Sequence, residues 1–126
     1  MVLSAIYMSG ITQLSPQVQE RLQRLQQLQN TMQQLLLQKQ RIEMEMVESD
    51  KALDALEEVK GDSKVYKSVG AVLVEKDRET VVKELKERKE FLEMRAKVLK
   101  KQEDKTQEKM TTLQETLQKE LGITPS

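Results

Sequence analysis

The sequence predicts a mostly α chain: a long antiparallel helical coiled-coil hairpin with a central β-hairpin at its turn. Three observations carry this. Apolar residues recur in heptads along two stretches of similar length. Gly and Pro are kept out of both stretches and stand only near their ends or between them, at Gly10, Pro16, Gly61, Gly70, Gly122 and Pro125. The segment between the stretches is dense in β-branched residues, which favour strands over helices. At 126 residues the chain fits one domain, 1–126, with a first helix at about 16–60, a β-hairpin at 64–76, a second helix at about 78–121, and flexible tails at 1–14 and 122–126.

Ser15-Pro16 opens the first helix. Ser is a good N-cap, and Pro at the next position has its φ preset and no N–H to lose. With Val18 as a, the a positions are Val18, Leu25, Met32, Lys39, Met46 and Leu53, and the d positions are Arg21, Leu28, Leu35, Ile42, Ser49 and Leu56. Nine of these twelve are apolar, which defines a coiled-coil seam. Leu22 and Leu36 fall at e and widen it. The helix is expected to end near Val59, with Gly61 at the C′ position, where a left-handed backbone suits glycine.

Between the helices the segment KVYKSVGAVLVEK offers two short strands. Val65, Tyr66 and Val69 lie on one side of a Val69-Gly70 turn, and Val72, Leu73 and Val74 on the other. Asp77 is the expected N-cap of the second helix. With Val82 as a, its a positions are Val82, Lys89, Ala96, Glu103, Met110 and Leu117, and its d positions Leu85, Leu92, Leu99, Thr106, Leu113 and Glu120. Eight of twelve are apolar, with a break at Glu103 and Thr106. Gly122 and Pro125 end it. Each helix is then roughly 66 Å long at 1.5 Å per residue. Equal helices about a tight turn fold back antiparallel, so the chain ends meet at one tip, and the centre of the fold falls near Ser68 and Val69.

A lone two-stranded hairpin is marginal in water. Val72-Leu73-Val74 is apolar on both faces, as expected of a strand covered on both sides, and its open edges invite pairing with another chain. The hairpin is therefore expected to be an assembly module, closed into a sheet or an intersubunit β-barrel by other subunits.

Composition excludes most chemistry. The chain has no Cys, no His and no Trp, so it lacks a thiolate nucleophile, an imidazole base, a disulfide and a zinc site. The glycines are isolated, which leaves no phosphate-cradling loop. The sequence points to a scaffold or binder rather than an enzyme, with no cofactor and no metal. Its 21 basic and 21 acidic residues balance, against a generic hold on nucleic acid. Residues 1–19 carry no charge but are too interrupted by polar residues to span a membrane, and they hold no basic n-region of the kind a secretory signal has. A cytoplasmic location is expected.

The hairpin sequence in this architecture resembles the archaeal type of prefoldin beta subunit. Val65-Tyr66-Lys67-Ser68-Val69-Gly70, followed by Val72-Leu73-Val74 and the helix entry at 79–85, is the specific part. The Ser-Pro-Gln-Val-Gln entry at 15–19, the Gln-rich first helix, and Lys51, Ala52, Leu53 and Leu56 are similar too. The resemblance spans about 14–121, and a single hairpin fits the beta type, because the alpha type has two. It departs at the N-terminus, where 1–10 is longer than the family pattern and Met8 is an alternative start. The resemblance implies a hexamer of two alpha and four beta subunits, whose hairpins form a double β-barrel platform from which six coiled coils hang. It also implies an ATP-independent holding chaperone that captures unfolded polypeptides with its coil tips and passes them to a group II chaperonin.

On that reading the client-binding tip comprises Ile11, Leu14, Val18, Leu22 and Leu25 from the first arm, with Leu117, Leu121 and Ile123 from the second. The oligomerisation hairpin comprises Val65, Tyr66, Val69, Gly70, Val72, Leu73 and Val74. Helix ends fray, and the uncharged stretch before Glu20 spares the tip a desolvation penalty. A second uncharged run, 25–38, includes the adaptable Met32. Plainer roles stand beside these. Leu and Met at a and d are core packing first, and the Gln run equally suits neutral helix surface. Glu43, Glu45 and Glu48, and Lys97, Lys100 and Lys101, suit solvated faces. Lys39 and Glu103 suit polar register positions. Two other functions fit the helices. A structural coiled-coil assembly or tethering protein without client-holding activity leaves the apolar tip unexplained. A nucleic-acid-binding helical arm needs a basic tip, whereas the first basic residue here is Arg21.

Overall fold

The computed structural model describes residues 15–122 of the chain. The expected element order is present: α1 (Pro16–Glu57), β1 (Val65–Val69), β2 (Val72–Lys76) and α2 (Arg78–Leu121). The expectations for 1–14 and 123–126 lie outside the described residues.

The helix starts follow their capping chemistry. The Val18 amide donates to Ser15 Oγ at 3.2 Å and the Gln19 amide to the Ser15 carbonyl at 3.0 Å, so Ser15 satisfies the orphan donors that Pro16 does not add to. At α2 the Val81 amide donates to the Asp77 carbonyl at 3.1 Å, and the Thr80 hydroxyl donates to Asp77 Oδ2 at 3.3 Å. Glu79 lies in that first turn, where a negative charge is favoured by the helix dipole.

The helix ends differ from one another. α2 stops as expected: Gly122 takes φ +66°, the left-handed conformation of a C′ glycine. α1 stops at Glu57, earlier than the expected 59–60, and Gly61 is neither its C′ residue nor in the left-handed region. The cap comes instead from outside the helix. Arg78 Nε donates to the Leu56 carbonyl at 2.8 Å, placing a cation on the negative end of α1, which has no basic residue in its own last turn.

The strands form a two-stranded antiparallel sheet with Val69 opposite Val72 and Val65 opposite Lys76. The turn is therefore Gly70-Ala71, one residue later than expected, and the centre of the hairpin moves with it. Gly70 has φ +57°, and among the described residues no non-glycine residue has positive φ. A two-residue loop with positive φ only at its first position is the type II′ hairpin turn, whose twist suits the strands. A Cβ at Gly70 would meet nothing within 4 Å, so the backbone alone demands glycine. Gly70→Ala is expected to weaken the hairpin by about 1–2 kcal/mol, read as faster amide hydrogen exchange confined to the two strands.

The described residues divide into two compact units, one within residues 1–37 and 99–126 and the other at 38–98. The seam pattern holds in both. All twelve a and d residues of α1 are buried or half-buried, and in α2 only Glu120 is exposed. Leu22 joins the buried stripe at 7% exposure, whereas Leu36 is 44% exposed. Consecutive helix residues project about 100° apart, so an e residue lies on the flank of the seam: Leu22 there packs into a buried cluster, and Leu36 does not. The polar positions stay inside. Ser49 and Thr106 are both buried, and the Thr106 hydroxyl donates back to the Gln102 carbonyl at 2.8 Å, so this polar group does not break the seam. Lys39 and Glu103 are half-buried.

Candidate functional site

The unit at 38–98 presents the β-hairpin. Its register puts Val65, Lys67, Val69, Val72, Val74 and Lys76 on one face and Tyr66, Ser68, Leu73 and Glu75 on the other. Apolar side chains stand in solvent on both faces. Tyr66 is 56% exposed, Val69 50%, Val72 60%, Leu73 71% and Val74 40%, Gly70 is exposed and Val65 is half-buried. Among the described residues each strand is paired on one side only, so its other edge offers free N–H and C=O groups. A surface that is apolar on two faces and open at two edges is an unfinished sheet.

The hairpin is braced against α2. Glu84 accepts from Lys67 Nζ and from Lys76 Nζ, each at 3.1 Å, so one carboxylate ties both strands to the helix. The hydrogen bond from Lys67, then that from Lys76, holds the Glu84 pKa below its ordinary value of 4.5. A carboxylate depressed in the folded state stabilises the fold above its unfolded pKa, and this contribution is lost as pH falls through the folded value. Acidification below the ordinary carboxylate range should therefore loosen the hairpin. The loosening is weakened by added salt, which screens the exposed pair, and is absent in Glu84→Gln; strand amide exchange followed against pH would show whether it is.

Further pairs join the helices of this unit. Arg88 Nη2 meets Glu45 Oε2 at 2.7 Å, and Lys89 Nζ meets Asp50 Oδ1 at 2.7 Å. This pair gives the ammonium at an a position its partner, and the hydrogen bond to Asp50 raises the pKa of Lys89. Glu43, Glu48, Lys97, Lys100 and Lys101 are exposed, as a solvated face requires, and Glu45 is turned to its pair with Arg88.

In the other unit, the residues expected to grip a client pack on one another. Val18, Leu22, Leu25 and Leu117 form a buried cluster, with Met110, Leu113 and Leu121 against it. Leu25 and Leu117 have no solvent exposure at all. Arg21 and Glu120 form an ion pair with both side chains part-exposed. Ile11, Leu14 and Ile123 lie outside the described residues. Four of the expected grip residues are therefore core of the helix pair as it stands and reach a ligand only when the helix ends part.

Heptad counting missed several residues that the structure brings forward. Phe91, Met94 and Val98 lie outside a and d and are 51%, 68% and 46% exposed; apolar residues at c and f were the signal available. Arg88 stacks over the Phe91 ring, 5.3 Å from its centroid, within the range of a cation–π contact. Beside this ring lies a groove of about 840 Å³ at the base of the hairpin. Among the described residues no group of three or more acidic side chains is placed to hold a metal ion, and no helix is long and apolar enough to cross a membrane.

Two long helices joined through an exposed two-stranded hairpin, with an apolar seam running along both, match a known architecture. A family model described as "Prefoldin subunit" matches residues 19–123, and the chain belongs to the prefoldin family of chaperone subunits. Its relatives are of the beta type, as the hairpin sequence led us to expect. The chain is 41% identical over 112 residues to "Prefoldin subunit beta" of Pyrobaculum neutrophilum, covering 89% of each chain. It is 42% identical over 118 residues to that of Methanothrix thermoacetophila, covering 94% of this chain and 97% of the relative. The crystal structure of the prefoldin beta subunit from Thermococcus strain KS-1 superposes with a TM-score of 0.76 at 38% identity, covering 89% of this chain and 96% of that one.

Proposed function

We propose that this chain is the beta-type subunit of an ATP-independent holding chaperone of the cytoplasm. Its hairpin joins those of neighbouring subunits in a closed sheet, in a hexamer of two alpha and four beta chains. Its helix ends hold unfolded polypeptides and pass them to a group II chaperonin. The observation that carries the proposal is the unfinished sheet: five apolar hairpin side chains between 40% and 71% exposed beside two edges left open among the described residues, a surface that other chains can complete. The grip is the apolar cluster of Val18, Leu22, Leu25, Leu117 and Leu121, exposed to a client when the helix ends separate, together with Ile11, Leu14 and Ile123, which lie outside the described residues.

A tethering protein with the same hairpin and no client is the second reading. The closed packing of Leu25 and Leu117 favours it, because residues already buried need no further partner. The two readings part on one experiment. The complex is purified through a tagged copy, its native mass is measured, and a denatured protein is diluted into it without nucleotide. The chaperone reading expects a six-chain particle containing a second, larger subunit, and suppression of aggregation that ATP does not change. A homodimer without suppression would move the tether to the front.

A further inference from the structure

The unit within residues 1–37 and 99–126 carries a groove of about 540 Å³ on one flank of its helix pair, walled by α1 and α2. Its charged lining is mostly of one sign. Arg21 and Arg24 come from α1, Lys105 and Lys109 from α2, and Glu108 is the one acid among them. Arg21 is committed to Glu120. Arg24, Lys105 and Lys109 are exposed and, among the described residues, enter no ion pair. With Val18 and Val82 at a, Arg24 and Lys109 both fall at g, where paired helices ordinarily exchange opposite charges. The unit at 38–98 follows that rule, with Arg88 on Glu45 and Lys89 on Asp50 across its helices. The groove breaks it, because cations stand on both walls and repel one another. Residues 1–14 and 123–126 contain no Asp or Glu, so no acidic side chain there can neutralise them.

The shape and lining narrow what anion fits. From Lys105 to Thr116 the α2 wall runs about 16 Å, the length of about five extended residues. Leu113 lines the groove and packs against the buried cluster of Val18, Leu22, Leu25 and Leu117, so an apolar strip lies beside the cations. No aromatic side chain lines it, and a nucleic-acid base would find nothing to stack on. An extended peptide carrying carboxylates and an apolar residue meets both parts, as acidic motifs meet Arg clusters elsewhere. We infer that this groove binds acidic segments of polypeptide chains, with Arg24, Lys105 and Lys109 as the anion-binding residues. The inference rests on the proposed client-holding function and names a class of segment that it takes. The apolar cluster reaches a ligand only when the helix ends part, whereas the groove is open while they are closed. A cleft of one sign also speeds encounter with the opposite charge, so the acidic segment docks first and apolar capture follows.

The test titrates the assembled complex with a labelled peptide rich in Glu and Leu, and with its counterpart carrying Gln for every Glu, and reads binding by fluorescence anisotropy. The acidic peptide is expected to bind about tenfold more tightly at low salt, the combined worth of three exposed ion pairs. Added salt should narrow the difference. Chains carrying Arg24→Gln, Lys105→Gln and Lys109→Gln together should lose the preference, while amide exchange at 18–25 and 105–117 slows or stays unchanged, because like charges have been removed. Equal binding of the two peptides to the unsubstituted complex overturns the inference, as does an acidic preference that survives the three substitutions. Loss of the preference with faster exchange overturns it too, because the cations would then act by holding the helices. A single-stranded oligonucleotide that displaces the labelled peptide at a lower concentration than unlabelled peptide does also overturns it, assigning the groove to nucleic acid. Failure of the unsubstituted complex to suppress aggregation of any denatured protein would instead remove the client-holding reading itself.

Discussion

Replacing Leu73 by Asp is expected to reduce the assembled particle to single chains while leaving each chain helical. Leu73 is 71% exposed within the subunit, and substitutions at such surface positions usually change subunit stability by less than about 0.5 kcal/mol. Any large effect must therefore arise between subunits. A leucine buried at an interface contributes about 1.5–3 kcal/mol, and a carboxylate forced into the same place adds a desolvation penalty. At about 1.4 kcal/mol per tenfold change in affinity, each contact weakens by at least an order of magnitude, and the loss recurs in every copy. Val74→Asp should act in the same direction on the opposite face. Light scattering of the purified protein reads the mass, and far-UV circular dichroism reads the retained helix. A particle of unchanged mass in both variants would mean that the hairpin is not the joint.

The second large effect lies at the helix ends. Leu117 has no solvent exposure and sits in the cluster with Val18, Leu22 and Leu25. Truncation of a buried leucine to alanine removes its transfer energy and leaves a cavity, a loss of about 2–5 kcal/mol. Among the described residues this cluster is walled by two helices, so solvent and side chains relax into the space, which argues for the lower end. A loss of about 2 kcal/mol makes local opening roughly 30-fold more frequent. Leu117→Ala should accordingly speed amide exchange by that factor at 113–121 and 18–25, and leave the strand amides at 65–76 unchanged. Exchange that accelerates equally in both regions would show that the helix ends and the hairpin open as one.

These two sites differ in how far they can be read from sequence. The heptads at Val18 to Leu56 and Val82 to Leu117, the Ser15-Pro16 start and the Gly122 stop depend on residues within one helical turn of each other, and sequence spacing records them. The exposed hairpin was legible for the same reason, since the unbroken apolar run Val72-Leu73-Val74 beside Gly70 needs no distant partner. The features that sequence did not disclose are long-range. Gly61 looked like a helix stop because nothing nearby competed with it, while the actual cap on Leu56 is Arg78, 22 residues later. The turn was placed one residue early because Gly70 serves as the first central residue of its loop rather than the second. Glu84 as a brace needs the register that brings Lys67 beside Val74, and the groove beside Phe91 needs both helices and β1 in place. At the tip, sequence located the apolar residues, but apolar character alone does not say whether a side chain is packed or offered to a ligand. The structure packs Val18, Leu22, Leu25 and Leu117 together.

On the proposed function, that packing sets intrachain contacts in competition with client contacts. Fraying of helix ends supplies the open state, and the Arg21–Glu120 pair opposes it. A chain with Arg21→Gln and Glu120→Gln loosens the end without removing any apolar side chain, and serves as the reference for loss of apolar surface. The most direct test is the suppression of client aggregation by complexes assembled from chains carrying Val18→Ser, Leu22→Ser, Leu117→Ser and Leu121→Ser together. The account predicts that these complexes keep the native mass through their hairpins and lose holding, while the Arg21→Gln, Glu120→Gln reference retains it. Full suppression by the four-serine complex would contradict it, because clients would then be held by some surface other than the apolar helix ends.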